Sequence, residues 1–181
     1  MIAAGNFPNG TEIRGAVEYR AVGRQLTGYA AVFNTAADLG RFREVIKPGA
    51  FARSILAPAD ILGLVDHDPG RLLGRTGSGT LRLVEDAKGL GFTLDLPETT
   101  LGRDVLALAE RGDLGGMSFG FRVLDEAWPT ANRRELRAVD LLEISVVHSH
   151  PAYSQTTISA RGRGWIAAPD AAARRLLLGR L

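Results

Sequence analysis

Gly115-Gly116-Met117-Ser118-Phe119-Gly120-Phe121 sets one hydroxyl between two bulky apolar residues, with glycines on both sides. In an extended chain successive side chains point to opposite faces. Met117, Phe119 and Phe121 would therefore share one face, and Ser118 and Gly120 the other. The three large side chains can anchor the segment in a core. The serine then stands on the opposite face, rigidly held yet approachable, beside a glycine that leaves room for another group. Ordinary strand packing with a bulge produces the same pattern, so the stretch by itself decides a strand and not a chemistry. It is not the Gly-x-Ser-x-Gly elbow of hydrolases with a parallel sheet, because Met117 precedes the serine and Gly116 sits two back.

The same period of two recurs along the chain. Glu12 to Arg20 reads as a half-buried strand, with Ile13, Val17 and Tyr19 on one side. Leu26 to Phe33 reads as a second, and Arg43 to Ile46 as a short one after a loop over Asn34 to Arg41. Ile61 to His67 is a strand turned by Asp68-Pro69-Gly70, and Leu72 to Thr76 continues extended. Leu81 to Glu85 and Leu90 to Leu96 flank Asp86-Ala87-Lys88-Gly89, a hairpin signature. Asn132-Arg133-Arg134 reads as a polar connection, followed by Leu136 to Val139 and Leu141 to Val147 as two strands or one bent strand. His148 to Gln155 is a loop, and Thr156 to Ala160 a last short strand. Only two internal stretches have helical period. One is Pro48 to Leu56, with Phe51 and Ile55 four apart. The other is Leu101 to Arg111, with the stripe Leu101, Val105, Leu108 and Ala109, capped by Thr100 and Gly112.

Strands outnumber helices and do not alternate with them. The expected fold is mainly β with helices (α+β): a closed or nearly closed antiparallel β-barrel of about seven strands with peripheral helices. Residues 1–11 read as a loose terminus, 12–160 as the barrel domain and 161–181 as a tail with helical potential. The tail's arginines read first as a solvated face and only second as a nucleic-acid contact.

A chain of 181 residues with 45% hydrophobic and 23% charged residues suits one soluble domain. The net charge of +2 sets up no global field for nucleic acid. The sequence contains no cysteine, which removes disulfides, thiol catalysis and zinc-thiolate sites. No apolar run reaches membrane-spanning length and the N-terminus lacks a signal-peptide core, so a cytoplasmic location is expected.

A serine hydroxyl attacks only if a base takes its proton, and the base needs a partner for its second nitrogen. The sequence offers His67, at the end of a strand, and His148 and His150, in a loop beside Pro151. Glu143 is the unusual acid, lying in the apolar strand Leu141-Leu142-Glu143-Ile144-Ser145-Val146-Val147. There Glu143 and Ser145 share one face, with Leu142, Ile144 and Val146 on the other. A buried carboxylate needs a partner, and an imidazolium would serve. Asp140 and His148 are the fallback candidates. The histidines and acids show no compact metal-ligand spacing, and neither a dinucleotide nor a Walker loop is present, so no cofactor or metal is expected.

Six pieces then occur in order. They are Gly28-Tyr29-Ala30-Ala31-Val32-Phe33-Asn34; Glu44-Val45-Ile46-Lys47-Pro48-Gly49-Ala50-Phe51; and Asp66-His67-Asp68-Pro69 with Leu73-Gly74-Arg75. After them come Gly116-Met117-Ser118-Phe119-Gly120-Phe121, Leu142-Glu143-Ile144-Ser145-Val146-Val147 and Pro151-Ala152-Tyr153. Each is weak alone. Together, over roughly Gly28 to Arg161, the chain resembles the HK97-type prohead proteases of tailed phages. The resemblance implies a serine endopeptidase of capsid maturation, similar in fold to the herpesvirus assembly proteases. Such an enzyme works in the bacterial cytoplasm, inside the immature capsid, and is encoded by a phage or an integrated prophage. Its substrates are scaffold protein or the scaffolding segment of the major capsid protein, and typically itself. The family's base falls on His67, its nucleophile on Ser118 and its third member on Glu143, where related viral enzymes use histidine. The paired arginines that follow the third member in the herpesvirus enzymes are missing here. The oxyanion donors therefore stay open between backbone N–H groups and Arg161.

Two other classes remain open from the sequence: a non-catalytic capsid-assembly or scaffold-binding module on the same fold, and a small esterase or acyltransferase. The oligomeric state, a homo-oligomer included, and the cleavage site are not legible.

Overall fold

The computed structural model describes residues 10–16, 18–57 and 59–148. The expected tail 161–181, the strand over 156–160, residues 1–9 and the candidates His150 and Arg161 lie outside the described residues. In chain order the elements are β1 (Glu12–Ala16), β2 (Glu18–Val22), β3 (Gln25–Val32), β4 (Ala37–Asp38), β5 (Arg43–Ile46), α1 (Ala52–Leu56) and β6 (Leu62–Val65). There follow β7 (Asp68–Arg75), β8 (Leu81–Glu85), β9 (Gly89–Asp95), α2 (Thr100–Arg111), β10 (Gly116–Thr130) and β11 (Arg133–Val147).

The protein is mainly β, with two helices among the described residues. The strands form two sheets rather than the expected closed barrel. A seven-stranded sheet runs β1-β10-β11-β5-β4, with β6 also pairing β11 and β7 pairing β6; a four-stranded sheet runs β2-β3-β9-β8. No ladder joins the two sheets among the described residues. The single strand expected over Glu12 to Arg20 is divided between them: β1 pairs with β10, and β2 with β3. The expectation of purely antiparallel pairing is also corrected. One edge of β11 takes β5 in parallel along Arg133–Leu136 and β6 in parallel along Glu143–Val146. The chain from β5 to β6 travels through α1, which is only five residues long. So short a crossover leaves almost no βαβ signal in a sequence.

The apolar face of β10 behaves as its alternation demands. Met117, Phe119 and Phe121 are fully buried in one cluster with Leu26, Leu90 and Leu94 of the smaller sheet. Phe119 meets Phe51 edge-on at 5.6 Å and stacks on Phe121 at 5.2 Å. α2 packs Val105 inward and ends at Gly112, whose φ of 76° is the left-handed conformation a helix C-terminus favours in glycine. Its N-terminal cap is Thr99 and not Thr100, with the Thr99 hydroxyl accepting the Gly102 N–H at 3.2 Å.

Arg134 is not in a polar connection. It lies in β11, opposite Glu44 of β5, and both are buried. Its guanidinium bonds Glu12 at 2.6 Å, Glu44 at 3.0 Å and Glu126 at 2.5 Å, while Arg14 bonds Glu44 and Glu12. The cluster ties together β1, β5, β10 and β11. Partial burial pushes the Glu12 carboxyl up, but the bond and charge of Arg134 and the charge of Arg14 hold it below its ordinary value of 4.5. Glu126 is likewise held low, first by the Trp128 indole N–H. Stability from these depressed carboxyls is present above the ordinary value and is lost as pH falls through the lower folded value. Arg134→Ala removes from Glu44 and Glu12 a buried cation that bonds both. It is expected to cost about 3 kcal/mol, or about 6–12 °C in Tm. It should also shrink the loss of stability below the ordinary carboxylate range, both effects being read by thermal melts across pH.

Candidate active site

His67 is held by a turn the sequence did not announce. Val65 pairs with Asp68, which makes Asp66 and His67 the two central residues of the β6–β7 hairpin. Their φ values are 51° and 60°. Two positive values in a two-residue loop are the signature of a type I′ turn, usually built with Asn or Gly. The turn therefore lies two residues before the expected Asp68-Pro69-Gly70. Asp and His tolerate this conformation better than most residues, at about 1–2 kcal/mol each.

The neighbourhood holds the strained turn in place. Asp66 N–H donates to the Val146 carbonyl at 2.9 Å, and His67 N–H donates to Ser145 Oγ at 3.2 Å. The Asp66 carboxylate accepts from the His148 backbone N–H at 3.0 Å, the His148 imidazole at 2.6 Å and Arg71 at 2.9 Å. Partial burial pushes the Asp66 carboxyl up, but these donors hold it below the usual range.

Glu143 is wholly buried on β11, between Gly120 of β10 and Leu62 of β6. Its Oε1 lies 2.8 Å from His67 Nδ1, and its Oε2 accepts from the Ser145 hydroxyl at 2.5 Å. A carboxylate only accepts, so Nδ1 is the donor of this bond, and a neutral imidazole with its proton there has Nε2 as its acceptor. Gly120 makes this possible: a Cβ there would stand 2.5 Å from Glu143 Oε1.

Ser118 lies in β10 with Gly15 of β1 on one side and Ser145 of β11 on the other. Directly opposed residues hold their Cβ atoms about 4.5–5.5 Å apart on one face. The serine thus belongs to the face that carries Ser145, Glu143 and the His67 turn. Its hydroxyl donates to the Arg14 carbonyl at 2.6 Å. Ser118 and His67 are both 3% exposed. The fallback candidates have other partners: Asp140 pairs with Arg122 at 2.5 Å, and His148 with Asp66.

Sequence reasoning missed what Ser145 does, and for Gly120 it read the room but not the occupant. Both share the face of Ser118 or Glu143 by simple alternation. That signal places them beside the site but does not say that one hydroxyl joins two strands' worth of groups, or that a missing side chain houses a carboxylate.

A hydroxyl on the face that carries a hydrogen-bonded imidazole–carboxylate pair is an outline that nucleophile–base–acid hydrolases share, with the Ser118 hydroxyl here bonded to the Arg14 carbonyl and not to His67. The chain belongs to the caudovirus prohead serine proteases, a family matched over residues 14–167. It is thus a member of a family of serine peptidases that act in capsid maturation. No curated protein matches. No solved structure matches either.

Proposed function

We propose that this chain is a prohead maturation endopeptidase. It cuts scaffold protein, or the scaffolding segment of the major capsid protein, and itself, through an acyl-enzyme on Ser118. It works within the assembling shell in the bacterial host, residues 12–160 being the protease unit. The observation that carries the proposal is the buried His67–Glu143 hydrogen bond of 2.8 Å on the face that bears Ser118, in a chain of this family. No helix among the described residues is long and apolar enough to cross a membrane.

The roles follow from the proton positions. Glu143 holds the Nδ1–H tautomer, so Nε2 of His67 is the free acceptor. Ser118 turns from the Arg14 carbonyl about its Cα–Cβ bond, gives its proton to Nε2 and attacks the scissile carbonyl. Glu143 stabilises the imidazolium, which then protonates the leaving amine. Water repeats the sequence on the ester and regenerates the hydroxyl. Because Ser118 is nearly buried, the substrate carbonyl reaches it only when the face above it opens. The His67–Glu143 bond is already in place, so two conformational steps remain: this opening, and the turn of the Ser118 hydroxyl from the Arg14 carbonyl toward Nε2.

A fluorophosphonate probe tests the proposal. A labelled tryptic peptide containing Ser118 is expected from the native protein and not from heat-unfolded protein. Native protein that takes up no label on prolonged exposure would instead favour a non-catalytic scaffold-binding module. The parked Ser118 hydroxyl is the observation on that side.

Gly120→Ala follows from the same geometry. Its methyl would displace Glu143 Oε1 from His67 Nδ1, since the backbone of β10 is pinned by β1 and β11. Misplacing a catalytic partner by about 1 Å can cost about 100-fold. A loss of that order is expected in the labelling rate, with a destabilisation of about 1–3 kcal/mol from overpacking.

A further inference from the structure

Ser145 uses both halves of its hydroxyl. It donates to Glu143 Oε2 at 2.5 Å and accepts from the His67 backbone N–H at 3.2 Å, and it is completely buried. Those two groups sit on different strands. Glu143 is two residues back on β11, and His67 is in the turn after β6, which runs parallel to β11 with Ser145 beside Leu64. On the other side of β11, Ser145 stands opposite Ser118.

We propose that Ser145 is a positioning residue, a fourth member of the site, that sets the carboxylate plane of Glu143 and the placement of the His67 ring with one hydroxyl. The inference rests on the assignment of Ser118, His67 and Glu143 made above. A glutamate carboxylate rotates broadly about its last bond. Fixing Oε2 by a donated hydrogen bond leaves Oε1 aimed at Nδ1. The His67 ring hangs from a left-handed turn that few side chains adopt, and the bond from its N–H to Ser145 ties that turn to the strand carrying the carboxylate. A hydroxyl that accepts a bond while donating one is polarised, so the two bonds strengthen each other. With alanine at 145, Glu143 Oε2 and the His67 N–H both lose a partner in a buried site.

The test uses the full chain with Ser145→Ala and Ser145→Thr, the second keeping the hydroxyl. Three readouts are taken: the rate at which a fluorophosphonate labels Ser118, the kcat and KM for a capsid-derived peptide, and the Nδ1–H proton signal of His67 in ¹⁵N-histidine-labelled protein. Ser145→Ala is expected to label about 100-fold more slowly, with the loss in kcat and not in KM. Its Nδ1–H signal should be broadened by exchange, while the thermal transition stays cooperative. Ser145→Thr is expected to recover most of the rate and the signal. A Ser145→Ala protein with parental rate and signal overturns the inference and leaves the Ser118 assignment standing. So does equal slowing in both variants with an intact Nδ1–H signal, which would make Ser145 a packing residue. A parent that never labels overturns the protease assignment instead. In that case the Nδ1–H signal of Ser145→Ala still decides whether the hydroxyl holds the His67–Glu143 pair.

Discussion

Ser118→Ala is expected to reduce cleavage of a capsid-derived peptide by on the order of 10⁴- to 10⁶-fold, and to leave assembled shells with uncut scaffold. The hydroxyl oxygen is the atom that would form the ester, and no neighbour can replace it. Ser145 is opposite on β11, but its hydroxyl proton is held by Glu143 and its oxygen by the His67 backbone N–H. What remains in the variant is water attacking with help from His67 and from whatever holds the substrate. The fold should tolerate the change. Met117, Phe119 and Phe121 keep the core face of β10, and the lost group is a single hydrogen bond to the Arg14 carbonyl. Such a bond contributes about 1 kcal/mol, which corresponds to about 2–4 °C in Tm. Mass spectrometry of the peptide and a thermal melt on the same preparation separate the two effects. Cleavage within tenfold of the parent would remove Ser118 from the mechanism.

The faces of the strands were legible in the sequence, and their neighbours were not. Alternation around Ser118 correctly opposes Met117, Phe119 and Phe121 to Ser118 and Gly120, because burial of one face is a local property of a period-two pattern. The short strand Arg43–Ile46, the β8–β9 hairpin and the end of α2 at Gly112 were legible for similar reasons, each written in adjacent residues. Pairing is different. That β5 and β6 share one edge of β11 in parallel depends on residues far apart in the chain, such as Arg43 with Arg133 and Leu62 with Glu143, and no local pattern encodes it. The same blindness hid the ion cluster. Arg134 looks like the tip of a polar connection until β1, β5 and β10 bring Glu12, Glu44 and Glu126 to it.

Of the candidate residues, Glu143 stands out in the sequence because a carboxylate among Leu, Ile and Val demands a partner, and the structure gives it His67 and Ser145. The turn that carries His67 was misplaced because Asp-His is not a usual type I′ pair. The cost of its left-handed backbone is met by contacts from Val146, Ser145, His148 and Arg71, all remote in sequence or set by the turn itself. Strain of this kind is tolerated where the surrounding structure over-determines it. Here it re-aims the imidazole from the end of β6 across to β11.

Glu143→Gln should be nearly as damaging as loss of the nucleophile, for a reason that concerns a single proton. Glutamine is isosteric, so packing around Gly120 and Leu62 is unchanged, and removing a charge from a wholly buried site does not cost the fold. The amide, however, has one acceptor and one donor end. If its NH₂ faces His67, Nδ1 must accept, the ring proton moves to Nε2, and the base can no longer take the proton of Ser118. If its oxygen faces His67, the NH₂ meets Ser145. The serine hydroxyl must then accept where it formerly donated, while the His67 N–H already donates to the same oxygen. Even in that orientation no negative charge remains to stabilise the imidazolium. A drop of on the order of 10⁴ in kcat is expected, the scale seen when the acid of a serine triad becomes its amide, with KM within about twofold because the amide touches no substrate. The ring tautomer is read independently by the ¹⁵N shifts of His67, which should move from the Nδ1–H to the Nε2–H pattern. A variant that keeps both the parental kcat and the Nδ1–H tautomer would show that the carboxylate is only a buried counter-charge, and the third member would have to be sought elsewhere.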